Sequence, residues 1–325
     1  MKFYQHRFSL SLFAIALICA QGVFAQTDIF IRGSGKKYPI ALPQLCVESG
    51  GGDWQRAIPE TMARNLSVSG YFEVLNPNAY IETPGKCGES PRDFAFSDWT
   101  VIGAEGLVRG RIVEDGRELK AQLLLFDIPK QQMVLGKEYR GDRGFAKQIA
   151  DRFSNEIIRF FTGEMGEFGS QIVFTSRVGR FKELFIADLD GTGVRQLTNE
   201  KGLAVAPAWS PNGSTLLYTS YQRRVPELFL YSFADRYGKP ITKGPALEIG
   251  GSFSPDGGSI LTAVSEGKQS TIQLMDLNGR SIQKLTSQFG VIDVSPDWSP
   301  DGSEVVFCSN RAGGPQIYVM SRDGR

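Results

Sequence analysis

Histidine is almost missing from this 325-residue sequence; the single copy is His6. Beyond that position no Ser-His-Asp or Cys-His catalytic set can be assembled, nor any His-containing metal site. Charge of one sign is also lacking, with 36 basic side chains against 35 acidic and no sustained block of either. Such a balance is no electrostatic footprint for nucleic acid or for an anionic membrane. No Gly-x-Ser-x-Gly nucleophile elbow occurs, which disfavours a serine peptidase of that design. Gly33-Ser34-Gly35-Lys36-Lys37 lacks the full phosphate-loop pattern and reads as a surface turn.

Long apolar runs are limited to one, Leu10 through Ala20. Lys2 and Arg7 precede it and Val23-Phe24-Ala25 follows, which is the pattern of a secretory signal peptide cleaved near Ala25. The run is shorter than the ~20 residues a membrane span needs. A lipoprotein signal at Cys19 is disfavoured by the bulky Ile18 before it. Export leaves three cysteines, Cys46, Cys87 and Cys308. In an oxidising compartment Cys46 and Cys87 either form a disulfide or stay as two thiols; spacing does not decide between them. Cys308 falls in a strand-like run and reads as buried filler.

What is abundant is repetition. Trp209-Ser210-Pro211-Asn212-Gly213, Phe253-Ser254-Pro255-Asp256-Gly257 and Trp298-Ser299-Pro300-Asp301-Gly302 recur with their serines 44 and then 45 positions apart. A period in the forties with strand-like sequence between copies is a β-propeller signature. Pro suits the second position of a type I turn, Ser and Asp or Asn bond the local backbone, and Gly leaves through positive φ. After each turn comes a β-rich run such as 216–219, 260–263 or 305–308. A second strand follows at 184–187, 228–231, 272–275 and 317–320, often with an Asp-Gly or Asn-Gly turn behind it. A third strand ends at Leu197-Thr198, Ile241-Thr242 and Leu285-Thr286. Four strands per unit make one blade. Asp188 and Asp276 read as turn formers, and no ligand cluster for an ion stands out.

Residues 26–165 show no repeat and read as a small α/β sheet domain. Strands are expected at 38–42 and 71–75, and an antiparallel meander over 106–113, 118–127 and 133–139. A helix is expected over 54–68, starting late or kinked because of Pro59, and a short one within 93–101. Phe145, Ile149, Phe153, Ile157, Ile158 and Phe161 mark a long amphipathic helix stopped at Gly163. The fold class is therefore multi-domain, with a small N-terminal α/β sheet domain and propeller blades over 166–325.

An export signal, a small α/β domain, the entry Gly166-Glu167-Phe168-Gly169-Ser170-Gln171-Ile172-Val173-Phe174-Thr175-Ser176 and aromatic-Ser-Pro-Asp/Asn-Gly blades together resemble the TolB family. The resemblance spans the whole mature chain in its order of parts. It implies a periplasmic, non-catalytic interaction protein of the Tol–Pal system, without cofactor or metal and monomeric at full length. It also implies two partners, the lipoprotein Pal and the C-terminal domain of TolA, and a role in outer-membrane integrity and constriction at division.

By that resemblance the mature N-terminal segment, with Asp28, Ile29, Phe30 and Ile31, adds a strand to TolA; a tail docked on its own propeller is the rival state. Pal docks over one propeller mouth, expected to be built from the loops at 203–206, 247–250 and 291–294. The residues singled out there are Leu247, Glu248, Gly250, Asp293 and Val294. The family closes six blades, whereas about three and a half units are present. A C-terminally incomplete chain is therefore expected, short by roughly two and a half units, about 110 residues. The edge at 172–176 is then expected to lack its neighbour. A propeller enzyme or a carbohydrate-binding propeller of the envelope remains the alternative reading.

Overall fold

The computed structural model describes residues 35–50, 52–81, 91–116, 118–223, 225–244 and 246–325. The leader, the segment with Asp28, Ile29, Phe30 and Ile31, and Cys87 lie outside the described residues. The N-terminal part runs β1 (Tyr38–Ala41), β2 (Cys46–Ser49), α1 (Trp54–Val68), β3 (Phe72–Val74), α2 (Phe96–Val101), β4 (Gly106–Asp115), β5 (Glu118–Asp127), β6 (Gln132–Asp142) and α3 (Ala146–Thr162). The sheet order is β3-β1-β4-β5-β6, with β2 also paired to β4. β4, β5 and β6 are the expected antiparallel meander, whereas β1 and β2 pair with β4 in parallel.

Both faces of this sheet are covered. Ile58, Met62 and Leu66 of α1 and Ile149, Phe153, Ile157 and Phe161 of α3 bury one face against Ile40, Phe72, Leu123 and Leu125. Phe94, Trp99, Leu107, Leu124 and Phe126 close the other. Each such side chain contributes about 1.5–3 kcal/mol on leaving water. α3 ends where the sequence says it must, with Gly163 at φ 83° and its N–H on the Arg159 carbonyl.

Of the two effects expected of Pro59, a late start or a kink, the late start does not occur: α1 begins at Trp54 and contains the proline. Pro59 has no N–H for the carbonyl of Gln55, which would otherwise be left unsatisfied. Leu45 supplies the missing donor, its N–H lying 3.0 Å from that oxygen.

Four antiparallel sheets follow. The first holds β7 (Gln171–Val178), β8 (Phe181–Asp188) and β9 (Arg195–Gln196). The second holds β10 (Ala204–Trp209), β11 (Thr215–Ser220), β12 (Glu227–Ser232) and β13 (Tyr237–Pro240). The third holds β14 (Leu247–Phe253), β15 (Ser259–Glu266), β16 (Gln269–Asp276) and β17 (Ser281–Lys284). The last holds β18 (Asp293–Trp298), β19 (Glu304–Ser309) and β20 (Gln316–Ser321). The first strands of successive sheets lie side by side, β10 against β14 and β14 against β18, as inner strands of neighbouring blades do. β7 is an edge of its sheet. Cys308 is half-buried and a free thiol, not the fully buried filler its run suggests.

The repeated residues act alike in each unit. Ser210, Ser254 and Ser299 donate to Asn212, Asp256 and Asp301 at 2.8, 2.5 and 2.6 Å. The same serine oxygens accept the N–H groups of Thr215, Ser259 and Glu304. Thr198, Thr242 and Thr286 accept the N–H groups of Leu184, Leu228 and Ile272 at 2.9, 3.0 and 2.9 Å. This bond ties the end of the outer strand to the strand beside it in the first three sheets. The hydroxyl is therefore a structural part of the repeat, not a reactive group.

The two parts meet at the turn after β8. Leu189 packs against the core under α1 and α3, and its N–H donates to the Ser170 carbonyl. Lys147 of α3 pairs with Asp151 at 3.1 Å and with Asp188 at 3.6 Å.

Candidate docking face

Antiparallel pairing gives each blade two ends. One end carries the Ser-Pro-Asp/Asn-Gly turns and the Asp188–Asp190 turn that touches the N-terminal domain. The other end is built from the segments around Gly179, Leu203, Arg223, Lys243, Lys268, Phe289 and Arg311. Pairing of Ala204 with Ser220, Leu247 with Ser265 and Asp293 with Ser309 puts the start of each inner strand at this second end.

Each inner strand breaks its register just inside this end, between Val205 and Ala208, Ile249 and Gly251, and Val294 and Asp297. Ala206, Gly250 and Ser295 sit at the break with φ of 52°, 67° and 53°. A residue in the left-handed region at a β-bulge turns the strand and re-aims its side chains. Gly250 adopts that conformation freely; Ala206 and Ser295 are held there by the sheet.

These bulges correct one expectation. Leu247, Glu248, Gly250, Asp293 and Val294 belong to strands β14 and β18, not to loops. Leu247 is 41% exposed, as is neighbouring Ile249 to a similar degree. Glu248 is half-buried, and burial raises its carboxyl pKa, with the Glu227 charge adding to the rise and Thr242 opposing it. Val294 packs against the core of the last two blades. Asp293 is 1% exposed and accepts from the Arg311 guanidinium at 3.1 Å. It therefore does not present its carboxylate to a partner; it fixes Arg311, whose guanidinium lies 4.8 Å from the Phe307 and Tyr318 rings.

Sequence reading missed the most exposed apolar group of this end, Phe289 at 90%, and Ile292 beside it. Their one sequence signal is an aromatic and a branched residue placed after the strand-ending Leu285-Thr286. Leu203, Leu247 and Ile249 are further exposed apolar side chains at this end. Phe289, with no partner to cover it, is the kind of exposed aromatic that marks an interaction surface.

The carboxylates at this end are turned inward. Glu183 accepts from the Thr198 hydroxyl at 2.6 Å and from the Lys201 N–H at 2.9 Å. Glu200 accepts from the hydroxyls of Tyr218 and Ser220. Burial first, and then Glu200, drive the Tyr218 phenol far above its ordinary pKa, so it stays a proton donor. Among the described residues no group of three or more His, Cys, Asp or Glu is placed to hold a metal. The arrangement offers contact surface, hydrogen-bond donors and cations.

Two family models match, "TolB amino-terminal domain" over residues 28–134 and "TolB beta propeller domain" over residues 159–325. The chain belongs to the TolB family. A TolB of Anaeromyxobacter dehalogenans is 36% identical over 295 residues, covering 90% of this chain and 67% of that protein. A TolB of Desulfosudis oleivorans is 32% identical over 211 residues, covering 63% and 48%. Both relatives are named Tol-Pal system protein TolB. The chain thus spans about half to two thirds of the length of the curated TolB relatives it matches. The crystal structure of TolB from Acinetobacter baumannii superposes with a TM-score of 0.72 at 26% identity, over 88% of this chain and 69% of that one. With this TolB neighbour the four sheets are blades of a propeller, preceded by the N-terminal domain of the same family.

Proposed function

We propose that this chain is a periplasmic, non-enzymatic docking protein of a Tol–Pal cell-envelope system. It receives Pal on the blade end that carries Phe289 and Leu247, and TolA through Asp28, Ile29, Phe30 and Ile31 as an added strand. The observation that carries the reading is the uncovered apolar surface of Leu203, Leu247, Ile249, Phe289 and Ile292 at the end facing away from the N-terminal domain. Its support comes from the names of the TolB relatives and from the exposed apolar side chains at that end. Cys46 is disulfide-bonded, which fits an oxidising compartment; Cys87 is the partner we assign to it. Docking of this kind serves outer-membrane integrity and constriction at division.

Capture of purified Pal by the full chain tests the reading. Wild type is expected to retain Pal and Leu247→Asp to lose it while keeping its far-UV and near-UV spectra. Val294→Asp is the poorer probe, because Val294 packs in the blade core and its loss would unfold the site. A folded wild type that retains no Pal contradicts the proposal and favours a carbohydrate-binding or enzymatic propeller.

A further inference from the structure

We infer that the docking face recognises an acidic protein surface, through the exposed cations that share the Phe289 end of the blades. This rests on the docking reading above and adds the chemistry of the partner. The balanced composition of the chain conceals an excess of exposed cations at this end. Arg177, Arg180, Lys182, Lys201, Lys243 and Lys268 all stand exposed at the Phe289 end. Among the described residues none of the six makes an ion pair. Glu266 is the one exposed carboxylate among the described residues of the same segments. The other acids are withdrawn: Glu183 and Glu200 hold hydroxyl and amide groups of their own blades, and Asp293 and Glu227 face Arg311 and Arg223. At the opposite end exposed acids and bases are mixed: Asp256, Asp301 and Asp323 stand with Arg236, Arg280, Arg322 and Arg325, and Asp256 and Asp323 pair with Arg322 and Arg325.

Inward-turned acids and outward-turned bases leave this end with an excess of exposed positive charge beside its exposed apolar side chains. Complementary charge across an interface steers encounter and mainly changes the association rate, while a central aromatic mainly changes dissociation. A partner that carries acidic side chains beside an apolar patch satisfies both.

The test uses the full chain and purified soluble Pal in biolayer interferometry at about 0.05 M and about 0.3 M NaCl. Wild-type association is expected to slow by about tenfold or more between the two salts. K243E/K268E is expected to show a similar loss at low salt and little further salt effect. Arg280→Glu, a charge reversal at the opposite end, should match wild type. Phe289→Ala should speed dissociation and keep the salt dependence. Pal binding whose rate ignores both salt and K243E/K268E overturns the acidic-partner inference and leaves the docking reading standing. No Pal binding at either salt removes both. Capture of vesicles of phosphatidylglycerol in phosphatidylcholine, lost in K243E/K268E and without Pal capture, overturns the inference in favour of a lipid surface.

Discussion

The Arg64 guanidinium on α1 lies 3.3 Å from the Asp190 carboxylate in the first blade, and that carboxylate is almost fully enclosed. It joins the N-terminal domain to the propeller. Asp190 also accepts the N–H and hydroxyl of Thr192 at 3.1 and 2.6 Å. Asp190→Ala is therefore expected to cost about 1–3 kcal/mol, because enclosed donors are left unmet. Arg64→Ala should cost under about 1 kcal/mol, since that side chain is half exposed and screened. Burial pushes the Asp190 pKa up, but Thr192, Lys147 and Arg64 outweigh it and hold it below the ordinary value. A depressed carboxyl pKa contributes stability above the unfolded pKa and loses it as pH falls through the folded one. Limited proteolysis of the linker at 163–170 should therefore accelerate only below the ordinary carboxylate range.

The threonines that end the outer strands give a graded test. Thr242→Val leaves the buried Leu228 N–H without its acceptor, at an expected cost of about 1–3 kcal/mol. Each threonine also serves a carboxylate, and Thr198→Val should cost more, because Glu183, which loses the Thr198 hydroxyl, is 1% exposed, whereas Glu248 beside Thr242 is half-buried. Urea unfolding ranks the two, and amide exchange at Leu184 and Leu228 locates the damage.

The bulge residues should respond in opposite directions. Ala206→Gly and Ser295→Gly remove the strain of a left-handed backbone and should stabilise the blades by up to about 1 kcal/mol each. Gly250→Ala should destabilise by about 1–2 kcal/mol, although a Cβ there meets nothing within 4 Å. The cost is conformational, not steric. Shifts in the urea midpoint at constant slope report it.

Glu248 should titrate above a free glutamate. Burial raises its pKa first, and Glu227 adds to it. A raised carboxyl pKa means that the folded state binds the proton more tightly than the unfolded one. Its stability contribution is full below the unfolded pKa and falls as pH rises through the folded pKa. Glu248→Gln is thus expected to be more stable than wild type at neutral pH and to converge with it in acid. Equal midpoints at both pH values would remove this account of the residue.

The blades were legible because Ser210, Ser254 and Ser299 do the same backbone work in each copy, and local work leaves a local pattern. The meander and α3 were legible for the same reason, through their periodicity and the Gly163 stop. β2 was not, since Cys46–Ser49 is short and owes its pairing to distant β4. The late start expected from Pro59 came from counting a lost N–H without knowing that Leu45 lies beside the Gln55 carbonyl. At the docking face, the Gly250 bulge converts an apparent loop into a strand. The inward turn of Asp293 needs Arg311, eighteen residues away. The excess of cations at this end was invisible for a related reason: a net count does not say which carboxylates are already engaged by Thr198, Tyr218 or Arg311.

The central claim, that the Phe289 end of the blades receives Pal, is tested most directly by site-specific photo-crosslinking. The photoreactive residue p-benzoylphenylalanine would replace Leu247 in one sample and Asp301, at the opposite end, in another. The account predicts a Pal adduct from position 247 and none from 301. An adduct from 301 alone, or equal adducts from both positions, would contradict it.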